Sequence, residues 1–359
     1  MLGPLQDFLQ GHWSQFFPGR EPGRKIRLLG VRGSLEGGKV IFFVFADSSP
    51  RPACVAKVLR NEACFEKMRC AYEVLQSFAR VSALSDKVPR ALALERIADT
   101  WVLLESFTDG SPIPLTVGAD GLPKPAQARF SLDRAFEFLE LLHNKIARPV
   151  VLMGEVSRTV MEPLLKRAQS SLSLTQAEQV LIGLLHAELE RMKDLKVRPV
   201  LAHGDFCRHN VIIHCGHARV LDWDVSSEGL PPLFDGLNFC LTFLLQLTGP
   251  KRAFHCTFLE RNGFSQMVKQ KIQQLAARTE VPMQLLPTLF VGSLVDRVCG
   301  EAELFENWER EGFLPMSAHA SKLGVGGPGR EDDGWQRPFR TMFSELAAYY
   351  AAHGKLGVF

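Results

Sequence analysis

Residues 201–224 read LAHGDFCRHNVIIHCGHARVLDWD, and the interpretation of the whole chain starts from this stretch. Two apolar runs, NVIIH and RVLDWD, are typical of buried strands, and the CGHA between them is typical of a turn. Asp205, Asn210 and Asp222 stand at the ends of these runs. We expect a β-hairpin that places Asn210 and Asp222 side by side at a functional site.

The pattern His-x-Asp-x4-Asn in HGDFCRHN supplies groups that phosphoryl transfer from a nucleotide requires. Such transfer depends on positioning and on cations, because its charge is spread over phosphate oxygens. Mg²⁺ prefers oxygen ligands, so Asn210 and Asp222 are the candidate ligands. Asp205 is the carboxylate that would orient an acceptor hydroxyl and take its proton. Loop polarity and turn capping are the alternative reading of these three residues.

The first part of the chain is predicted to be mainly β. Runs rich in β-branched and aromatic residues alternate with Gly, Ser and Pro, which is typical of strands and turns. The expected strands are KIRLLGV, KVIFFVFA, PACVAKVLR and the hairpin RALALERI–TWVLLESF. A short helix is expected over 5–17, and apolar spacing of three and four predicts another over 61–79. This organisation corresponds to an N-terminal helical extension at 1–24 and a β lobe at 25–107.

From residue 108 to residue 359 the pattern is mainly helical. One helix is expected to begin at a Ser131 cap, and Thr175 with Glu178 forms a capping-box pattern for another. Further helices are expected near 235–248, 256–276, 284–308 and 338–353. The predicted fold class is therefore α+β, with a small antiparallel β lobe and a larger helical lobe that includes the hairpin.

Composition narrows the class of protein. Of the 359 residues 46% are apolar and 23% charged, and the net charge of +3 predicts neither a nucleic-acid partner nor a polybasic membrane anchor. The most apolar run, at 237–247, is too short to span a bilayer, and the first residues do not resemble a secretory signal. The eight cysteines contain no CxxC pair and are predicted to be free, mostly buried thiols. A cytoplasmic location is expected.

His203-Gly204-Asp205 through Asn210, followed by LDWD, resembles the aminoglycoside phosphotransferase and choline kinase-like family, which has a protein-kinase-like fold. The resemblance implies ATP as the phosphoryl donor, Mg²⁺, and a small hydroxylated molecule as the acceptor. Asp205 matches the catalytic base, and Asn210 and Asp222 match the Mg²⁺ ligands. His203 matches the residue that braces the catalytic loop, and Asp235 matches an aspartate that supports the loop from the next helix.

The β lobe extends this resemblance. Lys57 in CVAKVL resembles the third-strand lysine that contacts the nucleotide phosphates, although a solvated strand lysine is the alternative. The turn GSLEGG, with Gly33, Gly37 and Gly38, resembles the phosphate-covering loop or a plain hairpin turn. LLESFTDG, with Glu105 and Phe107, resembles the hinge that holds adenine.

Two positions depart from the family pattern. The glutamate that pairs with the lysine would stand at Ala71, and the sequence leaves open whether Glu66, Glu73 or neither replaces it. The acidic residue after the Asp-Trp pair is commonly Glu in the family, whereas Asp224 stands here.

Residues after 300 are candidates for the acceptor pocket. The aromatic candidates are Trp308, Phe313, Trp335 and Phe339, for which core packing is the alternative. The Gly-rich segment 324–338 is a candidate lid. An acidic stretch suits a cationic acceptor or a solvated helix face, and it contains Glu301, Glu303, Glu306, Glu309 and Glu311.

Three other readings compete with a small-molecule kinase. A protein kinase would use the same chemistry, but the chain has no D-F-G and no A-P-E. A nucleotide-binding pseudokinase could act as a scaffold. A zinc site is conceivable from Cys207, His209, His214, Cys215 and His217, but their spacing fits common zinc patterns only loosely.

Overall fold

The chain forms two compact units in the computed structural model. The structure describes residues 2–19, 25–31, 38–46, 49–310 and 337–354, without the side chains of residues 307–310. The first unit contains Met1–Ser111 and Ile212–Ser226, and the second contains Pro112–Val211 and Ser227–Phe359. The chain therefore leaves the first unit after Ser111 and returns to it for the segment that contains Asp222.

A five-stranded antiparallel sheet forms the centre of the first unit, in the order β1-β2-β3-β5-β4. The strands are β1 (Ile26–Val31), β2 (Lys39–Ala46), β3 (Cys54–Leu59), β4 (Ala91–Ile97) and β5 (Thr100–Ser106). Each corresponds to a strand expected from β-branched and aromatic composition, so that part of the prediction is confirmed.

The N-terminal helix α1 (Leu2–Phe16) belongs to the core of this sheet. Its residues Leu5, Leu9, Trp13 and Phe16 recur at helical spacing, and all four are buried in one cluster with residues of the strands. The structure therefore differs from the sequence-based division, which treated residues 1–24 as a separate extension.

Helix α2 (Phe65–Ala79) confirms the helical pattern over 61–79, and it follows a 3₁₀ turn at Glu62–Cys64. Asn61 caps that turn, because its side chain accepts a hydrogen bond from the Ala63 N–H at 3.0 Å. The buried face of α2 includes Phe78. Its ring packs edge-to-face against the Trp223 indole, with 4.6 Å between the ring centroids.

The predicted hairpin is present as the strands Val211–His214 and His217–Val220. Its two-residue turn, Cys215 and Gly216, has φ values of 49° and 77°, as a type I′ turn requires. The Val220 N–H donates to the Lys87 carbonyl oxygen at 2.8 Å. Through this bond and the Trp223–Phe78 contact the hairpin packs with the first unit, whereas the sequence-based division placed it in the helical part.

The second unit is mainly helical, as predicted. Its helices are Pro125–Lys145, Met153–Val156, Glu162–Ser171, Gln176–Arg191, Phe234–Thr242, Leu245–Thr248, Pro250–Phe254, Gly263–Arg278, Leu286–Arg310 and Pro338–His353. Short antiparallel strand pairs accompany them, Val151–Leu152 with Lys196–Val197 and Val200–Ala202 with Ser227–Leu230. The helices Leu286–Arg310 and Pro338–His353 are called the long helix and the terminal helix below.

Helix starts were predicted with mixed success. The capping box is confirmed, because Thr175 N–H donates to Glu178 at 2.8 Å and Glu178 N–H donates to Thr175 at 3.4 Å. The Ser131 cap is wrong. That helix begins at Pro125, whose missing N–H costs nothing in the first turn, and the buried Ser131 hydroxyl donates to the Gln127 carbonyl at 2.7 Å.

Among the residues that the structure describes, none of the helices is both long enough and apolar enough to cross a membrane.

Candidate active site

A buried charge cluster lies on one face of the sheet in the first unit. Lys57 on β3 is 4% exposed, and its Nζ lies 2.9 Å from Glu105, 3.0 Å from Asp222 and 3.2 Å from Asp224. A buried ammonium needs such partners, since burial without them is costly. The reading of Lys57 as a solvated strand lysine is therefore wrong.

Strand register explains how the cluster forms. Val55 pairs with Glu105 across β3 and β5, and Lys57 is two residues from Val55, so Lys57 and Glu105 are diagonal neighbours on one face. Ile41 pairs with Lys57 across β2 and β3, which places Lys39 on the same face. Lys39 is 6% exposed, and its Nζ lies 2.7 Å from Asp222 and also pairs with Asp224. The sequence analysis missed Lys39, since a lysine at the start of a strand carries no distinctive pattern.

Burial and neighbouring charges act in opposite directions on the pKa values of these groups. Burial disfavours the charged form of Lys57, but Asp224, Glu105 and Asp222 outweigh it and raise its pKa well above the ordinary value. Burial alone would raise the pKa of Asp222, but Lys57 and Lys39 hold that pKa well below its usual range. Burial raises the pKa of Glu105, while Lys57 opposes that shift.

The carboxylate that pairs with Lys57 inside the sheet is Glu105, and neither glutamate of α2 does so. Glu66 and Glu73 both pair with Arg69 on the surface of α2, and neither contacts the lysine. The ion pair comes from Glu105, which the resemblance assigned to the adenine hinge. Phe107, the other hinge candidate, packs edge-to-face against the Phe43 ring, with 6.1 Å between the ring centroids.

The glycine turn is described only at its last residue. Gly38 has a φ of 55°, and its carbonyl accepts a hydrogen bond from the Arg60 N–H at 2.6 Å. The positive φ favours glycine, and a Cβ at this position would lie 2.8 Å from the Cys64 sulfur, which would have to shift. Gly33 and Gly37 lie outside the described residues.

The catalytic-loop candidate, residues 203–210, lies in the second unit. The buried Asp235, in the first turn of the helix Phe234–Thr242, accepts hydrogen bonds from the His203 N–H at 2.6 Å and the Gly204 N–H at 3.0 Å. The His203 ring nitrogen Nδ1 accepts from the Asp205 N–H at 3.2 Å. Burial raises the pKa of Asp235, although His203 and the two N–H donors oppose the shift.

Both carboxylate oxygens of Asp205 have a partner. The Asn210 amide donates to Oδ2 at 2.9 Å and to the Asp205 carbonyl at 2.8 Å. Arg297 on the long helix donates to Oδ1 at 3.2 Å and to the Gly204 carbonyl at 2.5 Å. The Asp205 side chain is 42% exposed, so it stays accessible to a ligand. Sequence reasoning missed Arg297, because one arginine in an apolar helix has no motif around it.

The described glutamates of the acidic stretch have separate surroundings and do not share one surface. Buried Glu301 caps the terminal helix by accepting hydrogen bonds from the Phe339 N–H at 3.2 Å and the Arg340 N–H at 2.9 Å. Glu303 pairs with Arg167 at 2.9 Å, and Glu306 is exposed. Glu311 and the side chain of Glu309 lie outside the described residues. Two of the glutamates expected to attract a cationic acceptor are thus committed elsewhere.

The aromatic candidates are described only in part. Phe339 lies beneath the Arg297 guanidinium, 5.1 Å from its carbon to the ring centroid. Phe313, Trp335, the side chain of Trp308 and most of segment 324–338 lie outside the described residues.

Glu301 predicts a pH dependence of stability. Burial raises its pKa from 4.5 to about 7, so the folded state keeps a proton that the unfolded chain releases. The free energy of unfolding should therefore fall as pH rises from about 4.5 to about 7, by about 3 kcal/mol for this group. Glu301→Gln should remove that part of the slope in urea unfolding measured across this range. Glu306→Gln, at an exposed position, is the matched control; an unchanged slope in Glu301→Gln would contradict the assignment.

The side chains that could bind Zn²⁺ and those that could bind Mg²⁺ differ in what the structure offers. Among the described residues, no group of three or more His, Cys, Asp or Glu side chains could hold a metal ion, which leaves the zinc reading without support. The eight cysteines, all within the described ranges, are free thiols. Asp222 and Asp224 already hold two ammonium groups, and the Asn210 amide nitrogen is engaged, which leaves its oxygen as the candidate ligand. Carboxylate and amide oxygens are ligands of the kind that Mg²⁺ prefers.

The model of the phosphotransferase enzyme family matches residues 52–243, more than half of the 359-residue chain. No curated protein matches the chain significantly.

Solved structures share the fold. The macrolide 2′-phosphotransferase MphH from Brachybacterium faecium, an apoenzyme, is 17% identical, with 92% of this chain and 99% of that chain covered and a TM-score of 0.51. The choline kinase from Cryptosporidium parvum Iowa II is 11% identical, with 97% of each chain covered and a TM-score of 0.52. A variant of aminoglycoside 2′-phosphotransferase-IIIa in complex with GDP is 13% identical, with 96% and 100% covered and a TM-score of 0.51.

These similarities confirm the protein-kinase-like fold, in which an antiparallel sheet is combined with a mainly helical unit. The chain belongs to the phosphotransferase enzyme family and has the fold of its small-molecule phosphotransferases.

Proposed function

We propose that this protein transfers the γ-phosphoryl group of Mg·ATP to a hydroxyl of a small molecule. The observation that carries the proposal is the buried cluster around Lys57, with Glu105 at 2.9 Å and Asp222 at 3.0 Å. A buried lysine that contacts carboxylates from two different elements suits a polyphosphate and its metal ion.

Each residue has a role in this proposal. Lys57 contacts the donor phosphates, Glu105 keeps that ammonium oriented, and Asp222 with the Asn210 oxygen holds Mg²⁺. Bound Mg²⁺ would neutralise phosphate charge as it develops. Asp205 orients the acceptor hydroxyl and takes its proton as the new O–P bond forms and the bond to ADP breaks. Asn210 and Arg297 hold the two Asp205 oxygens, and Asp235 fixes the loop through its N–H bonds.

A protein kinase fits the chain less well. The helix Phe234–Thr242 begins soon after Asp222, and the intervening residues include the strand Ser227–Leu230. This leaves little room for a long activation loop between the metal ligand and the next helix. The small-molecule reading is therefore favoured, and the cytoplasmic location expected from the sequence is part of this proposal.

The class of acceptor is a separate question. The similar structures act on, or are named for, macrolides, choline and aminoglycosides. Glu301 and Glu303 are committed to other partners, and Arg297 stands beside Asp205, so the described residues do not favour a polycationic acceptor. Neutral and anionic hydroxyl compounds should therefore be assayed as acceptors with the same priority as cationic ones.

The test is acceptor-dependent ADP release. Purified protein with Mg·ATP, and in parallel Mg·GTP, would be assayed against cationic, neutral and anionic hydroxyl compounds, with chelated metal as the control. We expect release above background for one chemical class and transfer of labelled phosphate to that acceptor. ATP binding without turnover on any acceptor would favour the pseudokinase scaffold, and failure to bind any nucleotide would contradict the proposal.

A further inference from the structure

The feature that the proposed function does not use is Lys39, the first residue of β2, which follows Gly38 at the end of the glycine turn. Its Nζ lies 2.7 Å from Asp222 Oδ1 and also pairs with Asp224 Oδ2. It is as buried as Lys57, with 5% of each side chain exposed. Two buried lysines therefore share the two carboxylates at the end of the hairpin.

The two lysines differ in what else they contact. Lys57 has a third carboxylate, Glu105, which is 5% exposed and lies apart from the hairpin. Within the described part of the chain, the ion pairs of Lys39 are those with Asp222 and Asp224. Among the described residues, Lys39 is thus balanced by the carboxylates that a divalent cation would require.

This difference has an electrostatic consequence. A divalent cation bound by Asp222 competes with the ammonium groups for the same oxygens. Lys57 keeps Glu105 when those oxygens are taken, whereas no other carboxylate of the described residues pairs with Lys39. A buried ammonium without a counter-charge is strongly disfavoured, so Lys39 requires a new anion at that moment. The anion that would arrive with the metal is the donor polyphosphate.

We propose that Lys39 is a second donor-phosphate lysine, and that in nucleotide-free protein it occupies the carboxylates that the metal ion later takes. The inference rests on the proposed nucleotide site and adds to it an exchange of partners by Lys39. Lys39 moves from Asp222 and Asp224 to a phosphate oxygen as the cation binds. Lys39 directly follows Gly38, the described end of the turn that resembles the phosphate-covering loop, which agrees with a phosphate as its new partner.

The exchange makes two predictions of opposite sign for Lys39→Met. Affinity for ATP should fall by about 10- to 100-fold, as expected for the loss of one charge-assisted hydrogen bond, while affinity for adenosine stays unchanged. Affinity of the nucleotide-free protein for Mn²⁺, used as the probe metal, should rise by about tenfold, because a competing cation is gone. Calorimetry measures the affinities for ATP and adenosine. Electron paramagnetic resonance measures the concentration of free Mn²⁺, and hence the Mn²⁺ affinity.

Two variants separate the site from general effects. Lys67→Met removes one positive charge from an exposed position on α2 and should change neither affinity. Lys39→Arg keeps the charge and should retain most of the ATP affinity. Thermal unfolding of each variant checks that the protein used in the titrations is folded.

The outcomes distinguish the two ideas. If wild-type protein binds ATP, and Lys39→Met is folded and binds ATP and Mn²⁺ as wild type does, Lys39 is a structural lysine and this inference is overturned alone. If Lys39→Met binds ATP more weakly and Mn²⁺ more tightly, the exchange is supported. If wild-type protein binds no nucleotide, the proposed function itself fails, and this inference with it.

Discussion

Asp205→Asn is expected to lower kcat by about 10²- to 10⁴-fold, the contribution usual for a positioned general base. The asparagine amide has the shape of the carboxylate but cannot take the acceptor proton. The loop should keep its conformation, because His203 and Gly204 are held by Asp235 and not by the Asp205 side chain. The measurement is steady-state ADP release with the best acceptor, beside nucleotide affinity by calorimetry.

Nucleotide affinity should change little in this variant, since Asp205 is assigned to the acceptor. Asp194→Asn, at an exposed position in the same unit, is the matched control and should retain wild-type kcat. A kcat for Asp205→Asn within tenfold of wild type would show that another group takes the proton. A fall in both kcat and nucleotide affinity would show that the loop has lost its structure.

The second large effect is on stability. Lys57→Met is expected to lower the free energy of unfolding by about 3–5 kcal/mol, because it leaves the buried Glu105 without its counter-charge. Glu105 is 4% exposed, and water cannot replace the lysine there. Urea unfolding at neutral pH measures the loss. Lys67→Met is again the control and should change stability by less than about 0.5 kcal/mol, as an exposed substitution does.

A double variant tests the physical reason. Adding Glu105→Leu to Lys57→Met removes both charges, and replacement of a buried ion pair by apolar residues is often neutral or stabilising. The double variant should therefore recover most of the stability lost in Lys57→Met, while ATP affinity stays low. If the double variant is no more stable than Lys57→Met, the loss comes from packing and not from the unpaired carboxylate.

Much of the fold and of the candidate site was readable from short stretches of sequence. The five strands of the sheet, the helix α2, the capping box at Thr175 and the hairpin are present as expected. These features depend on neighbours within a few residues, or on the alternation of apolar and polar positions. The motif from His203 to Asn210 was identified in the same way, because its residues are close along the chain.

Errors arose where a local signal was ambiguous. Ser131 has the chemistry of a helix cap, but the preceding residues from Pro125 are helical and bury its hydroxyl. The acidic stretch reads as one surface in sequence, yet Glu301 turns inward to cap the terminal helix. In both cases a residue suited to two environments was assigned to the wrong one, and only packing decided between them.

By itself, the sequence determined the class of fold, the order of the elements and the positions of Asp205, Asn210, Asp222 and Lys57 as candidate site residues. Tertiary structure alone decided which charges meet. Lys39 reaches Asp222 across 183 positions of the chain, and Arg297 reaches Asp205 across 92. Glu105 pairs with Lys57 because of the register between two strands. Such contacts cannot be read from the sequence, because they do not change the pattern of apolar and polar residues around either partner.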